Sequence, residues 1–241
     1  MNFKTIALAI LIVVLAKQLS AQQISGISSD EKIKPDKFNL SFFTGLSFMG
    51  PKDDMEAGMK SSGLDYTSPA GWFGGAKDNP FTERYPIFDV EAAYYFTATN
   101  GFSINGGLIN NIEVDGYQPN GIFGNYVILK SELWQFAFCY TFRIEDLKNN
   151  FFIGPTYIIH VVKDNSSVST PSPTKNRKLG IYLGYSYQVM QKKHWFLALK
   201  GSFKLAPESE IGPYGVYKKT KVNLAILNFG LSIGMRTASK D

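Results

Sequence analysis

The chain holds a single cysteine, Cys139, among 241 residues. No internal disulfide can form, so sheet hydrogen bonds and packing must stabilise the fold. Past the N-terminus no stretch stays apolar for the ~18 residues of a membrane helix, which excludes helical spans. Histidine is scarce, at two residues, and no metal-ligand spacing or phosphate-binding glycine motif appears. No metal or cofactor is implied. Charge of neither sign dominates: 25 Lys and Arg oppose 20 Asp and Glu. The basic residues are scattered and form no block, so nucleic acid is not an implied partner.

The N-terminus reads as an export signal. Lys4 precedes an apolar run from Ile6 to Ala16, and Lys17 ends it. That run is too short to span a bilayer, and Leu19-Ser20-Ala21 places small residues before Gln22, so cleavage is expected after Ala21. Removing Lys4 and Lys17 leaves 23 basic residues against 20 acidic ones and lowers the net charge from +5 to +3. Residues 22–36 are polar and read as a periplasmic lead-in; 237–241 form a short tail after the barrel region 37–236.

Aromatic residues are abundant, with 19 Phe, 13 Tyr and 3 Trp. Many of them recur at every second position. Eight alternating segments are expected at 37–49, 86–97, 101–112, 127–143, 151–163, 178–190, 194–205 and 220–236. The links alternate in length. Short ones fall at 98–100, 144–150 and 191–193, and long ones at 50–85, 113–126, 164–177 and 206–219. Asn100-Gly101 reads as a hairpin signal. Pro155 predicts a bulge, and the change of parity after Val222, Leu224 and Ile226 predicts another near Ile226. The pattern fits an all-β, eight-stranded antiparallel up-and-down transmembrane β-barrel, with short turns in the periplasm and long loops at the cell surface.

Alternation alone leaves open which face is outside, because a soluble lipocalin-like barrel has the same period. Two details favour lipid outside. The polar face is rich in small residues, such as Gly154, Gly180, Gly184, Gly234, Ala137 and Ala198, which suit a narrow lumen. Aromatics also gather beside the short turns: Tyr94 and Phe96, Phe102, Tyr140 and Phe142, Phe151, Trp195. They would form a girdle at one membrane interface.

On strand count, loop rhythm and girdles, residues 37–236 resemble the small eight-stranded outer-membrane barrels of Gram-negative bacteria, the OmpA/OmpX type. The Ser20-Ala21-Gln22 junction is similar to exported proteins of the Bacteroidetes, which have many uncharacterised barrels of this size. The resemblance implies residence in the outer membrane, contact with its lipid and lipopolysaccharide, and insertion by the β-barrel assembly machinery. Such barrels often end on an aromatic residue; here Thr237 to Asp241 follow Arg236.

The expected lumen face carries Asp89 and Glu91, Lys200 and Lys204, and Arg143 and Arg236 near the short turns. Charges inside so narrow a barrel must pair, so a structural ion-pair network is expected. Some barrels of this size modify lipopolysaccharide acyl chains with a His-x-Ser pair. His160 is followed instead by Val161-Val162, and His194 lies at a turn beside Trp195. Neither has an evident nucleophile, and catalysis is not expected. The longest link holds Asp53-Asp54-Met55-Glu56, a possible helix start with Asp as cap, and then Trp72, Phe73 and Phe81, candidate loop contacts for an unknown surface ligand. The expected role is a non-enzymatic scaffold that displays surface loops. The alternatives are a small ion channel or transport accessory and, less favoured, a lipid-modifying enzyme.

Overall fold

A computed structural model describes residues 37–48, 51–64, 85–118, 125–144, 148–165 and 173–237. The export signal, the lead-in, Trp72, Phe73, Phe81 and residues 238–241 lie outside that set. Eight strands form: β1 (Phe38–Phe48), β2 (Tyr85–Tyr95), β3 (Asn100–Gln118), β4 (Asn125–Ile144), β5 (Asn149–Asp164), β6 (Thr174–Gln191), β7 (Trp195–Ile211) and β8 (Thr220–Thr237). Each pairs antiparallel with its neighbours in sequence, and β1 pairs with β8 to close the barrel. A helix α1 (Lys52–Ser61) follows β1.

The side chains divide as the alternation predicts. Outward-pointing Ile104, Leu179 and Met235 are 62%, 69% and 65% exposed. Inward-pointing Asn105, Gln135, Asn228 and Ser232 are buried. A soluble barrel would show the reverse, because water does not favour a continuous apolar wall around a polar centre. At the short-turn end, rings touch in series from Phe96 to Phe102, Tyr140, Phe142, Phe151 and Tyr185. Within that arc the Tyr140 and Tyr185 hydroxyls donate to the Asn100 and Asn149 side chains at 2.5 and 2.6 Å. The rings thus stay in the apolar zone while their polar tips reach its border.

Several expectations need correction. Strands β3 and β4 run on through most of 113–126, leaving a link of 119–124. The register shifts between Ile109 and Ile112, so that Val114 points inward and Glu113 outward beside Lys130. That break in parity is what made the segment look like a loop. In the same way β6 starts at Thr174 and β7 continues to Ile211. Pro155 makes no bulge: Ala137↔Thr156 and Tyr140↔Ile153 keep one register across it. Nor is there one at Ile226, where Lys204↔Ile226 and Leu205↔Ala225 are in step. Val222, Leu224 and Ile226 share the inward parity of Asn228; the upper lumen is simply apolar. The irregularity lies opposite, on β7, between Ala206 and Ser209.

Asn100-Gly101 opens β3 instead of forming the turn, where the Thr97 hydroxyl accepts from the Asn100 backbone N–H at 2.9 Å. A side chain on Gly101 would strike the Tyr94 carbonyl, so close strand approach is what requires glycine there. The α1 start was expected to be capped by Asp. Instead Pro51 occupies the N-cap without a side-chain cap, and Asp54 accepts from the Asn223 backbone N–H at 2.6 Å. The carboxylate ties the helix to β8 rather than closing its own first turn.

Candidate functional site

The lumen is stacked in layers. At the short-turn end Arg143 donates to Asn150 at 3.0 Å, and its guanidinium lies 3.3 Å from the centre of the Tyr95 ring. Arg236 donates to the Lys193 carbonyl at 3.4 Å. One storey up, Lys200 donates to Glu91 at 2.7 Å and to Asn105 at 3.2 Å. Beside it Lys204 lies 3.5 Å from Asp89 and donates to Gln135 at 2.5 Å. The four carboxylate and ammonium groups are therefore brought together as two pairs between β2 and β7, while the two arginines occupy a separate level. Tyr182 and Phe152 fill the space around them, and the Lys204 ammonium stands 5.2 Å from the Tyr182 ring.

Residues that alternation does not single out close the rest. Phe43, Ile87, Ile109, Ile112, Leu133, Ile158, Leu224 and Ile226 form an apolar layer above the ion pairs. Above it lies His160, fully buried, with Nε2 2.7 Å from the Ser131 hydroxyl and Nδ1 2.7 Å from the Ser209 hydroxyl. A neutral imidazole donates with one nitrogen and accepts with the other, so the two serines satisfy both. His160 thus has two hydroxyl partners, although no serine follows it at the His-x-Ser spacing. Its partners are 29 and 49 residues away in sequence, and no local motif could announce them. The trio is enclosed between two apolar layers.

A second apolar layer covers the mouth. Met55 and Met59 of α1, with Leu64, pack on Val127, Leu129, Val162, Ile211, Val222, Tyr214 and Tyr217. Gly58 admits the contact, since a side chain there would run into the Tyr217 hydroxyl and Thr220. The Ser62 hydroxyl donates to the Gly58 carbonyl at 2.7 Å and accepts from the Lys218 N–H at 2.8 Å. Burial pushes the Tyr217 phenol up to about 12. Among the described residues no group of His, Cys, Asp and Glu could hold a metal.

With this geometry in hand, the molecule is defined as a membrane-type eight-stranded β-barrel, stoppered at its long-loop end. Solved structures similar to it are small outer-membrane barrels. Ail, the attachment invasion locus protein of Yersinia pestis, matches at 11% identity and a TM-score of 0.43, over 83% of this chain and 98% of that one. Neisserial surface protein A matches at 10% identity and 0.44, over 83% and 96%. Outer membrane protein AlkL matches at 14% identity and 0.38, over 91% and 100%. No family model matches the sequence, and no curated protein does.

Proposed function

We propose that the protein is a non-enzymatic outer-membrane barrel of a Gram-negative bacterium that holds a fixed platform at the cell surface for interaction. One observation carries this reading: α1 and the Tyr214–Tyr217 segment share a buried apolar core with the upper strand ends. Loops that merely connect strands have no need of a core of their own. A platform ordered in advance loses little conformational entropy when a partner binds. Trp72, Phe73 and Phe81 belong to the link that leaves α1, and they are the contacts we propose for that partner. In this reading the assembly machinery inserts the barrel, and lipopolysaccharide surrounds it.

A conducting role finds less support, because two apolar layers and two ion-paired lysines cross the lumen. An eight-stranded interior is only wide enough for side chains. The test is twofold. The refolded protein in planar bilayers should give no conductance steps above the lipid baseline. In intact cells, a biotinylation reagent that cannot cross membranes should label Lys60, an exposed lysine of α1. Stepwise conductance would overturn the scaffold reading, and a Lys60 labelled only after lysis would overturn the orientation.

A further inference from the structure

The outer wall carries a groove that the barrel itself does not require. At the β7 irregularity, Pro207 and Glu208 crowd the strand where β8 offers only Asn223. Leu179, Ile181, Leu205 and Pro207, with Glu208 and Asn223, line the resulting shallow, open groove. Its walls are the outward residues of β6 and β7, and Leu179 and Ile181 are 69% and 56% exposed. The groove therefore faces acyl chains and not the lumen.

Directly above it the chemistry changes. Arg177 and Lys175 are the next two outward residues on β6 beyond Leu179. Arg177 stands two residues, roughly 6.6 Å of strand, beyond Leu179 and Lys175 four residues, roughly 13 Å, so the cations rise one above the other from the edge of the apolar wall. Their neighbours on β5 are Ile159 and Val161, which offer no counter-charge. Nearby basic residues are already engaged: Lys163 with Glu132 at 2.8 Å, Lys130 with Glu113 at 3.0 Å and Lys219 with Glu210 at 2.5 Å. On the groove rim Glu208 faces Lys221 at 3.9 Å. Among the described residues no carboxylate lies within ion-pair distance of Lys175 or Arg177.

We infer that this is a lipid site: an acyl chain lies in the groove between β6 and β7, and Arg177 with Lys175 holds the phosphate of the same outer-leaflet lipid. The apolar groove alone would accept any chain, and the cation pair alone would accept any anion. Their stacking along one strand selects a molecule with phosphate above and hydrocarbon below. Guanidinium suits the task because its planar fork matches phosphate oxygens. The inference rests on the outer-membrane reading, and its test separates the two.

The barrel is refolded in detergent, and lipid retention is followed by native mass spectrometry with diphosphoryl lipid A as probe. One lipid A should stay bound per barrel. Fully dephosphorylated lipid A should bind at least tenfold more weakly. The double variant Lys175→Gln/Arg177→Gln should lose at least tenfold, and Ile181→Trp, which fills the groove, should lose a similar factor. Lys60→Gln should behave as the parent. Equal retention by parent and double variant would overturn the proposal. So would displacement of the lipid by millimolar inorganic phosphate, which would make the site a simple anion site. Insertion into lipid vesicles is measured in parallel for every variant. A barrel that inserts but retains no lipid A sinks this inference alone; one that stays in the aqueous phase sinks the outer-membrane reading with it.

Discussion

The Lys200 ammonium donates to the Glu91 carboxylate at 2.7 Å across the lumen, from β7 to β2, between residues 109 apart in sequence. Both side chains are almost wholly buried, at 3% and 10% exposure. Each ion is costly to desolvate, and each makes the other tolerable. Removing one should therefore harm the barrel more than removing both. Lys200→Met should destabilise by about 3–5 kcal/mol, because Glu91 is left buried and uncompensated. The double variant Lys200→Met/Glu91→Leu should recover most of that loss. Urea titration of barrels in vesicles, read by heat-modifiable gel mobility, checks this. Additive losses in the double variant would refute it.

His160 is held from both sides by Ser131 and Ser209. Replacing either serine by alanine leaves one ring nitrogen buried without a partner, at a cost of about 1–3 kcal/mol. The same replacements should leave the lipid A profile of the host unchanged. A stability loss with an unaltered profile fits a structural trio. An altered lipid A species on Ser209→Ala would instead make Ser209 a nucleophile.

The helix cover depends on Gly58. In Gly58→Leu the new side chain meets the Tyr217 hydroxyl and Thr220, and α1 must lift. The barrel below keeps its strand ladders. The expected result is a folded, heat-modifiable barrel whose 51–64 segment is cut by added protease in vesicles, at a rate at least tenfold above the parent. Cleavage unchanged from the parent would show that Met55 and Met59 do not anchor the cover.

Alkaline pH should loosen the same platform. Burial lifts the Tyr217 phenol to about 12, above the ~10 of an unfolded tyrosine. The folded platform thus keeps a proton that the opened one gives up. The stabilisation from Tyr217 is complete below pH ~10 and is lost as pH rises to about 12. Protease sensitivity of 51–64 should rise across that window in the parent. In Tyr217→Phe that pH-dependent component should vanish. Identical pH profiles for the two proteins would contradict the assignment.

Much of the barrel is local information. The apolar parity of Phe88, Val90 and Tyr94, or of Leu179, Ile181 and Leu183, survives closure because strand geometry enforces a period of two. The placement of Asp89, Glu91, Lys200 and Lys204 in the lumen follows from the same rule. Where parity breaks, between Ile109 and Ile112, alternation no longer marks the strand, and 113–118, expected as loop, continues β3. A single extra residue reverses every later side chain, and nothing in the letters marks where it is absorbed.

The sequence by itself therefore determined the strand count, the lipid-facing and inward-facing sides, and the need to neutralise buried charge. Only the tertiary structure decided which charges pair, which serines hold His160 and where α1 comes to rest. It also decided that Arg177 stands over a groove. Those relationships join residues from strands that meet only when the sheet twists and closes. Alternation fixes the direction of a side chain, whereas register and closure fix what it finds there.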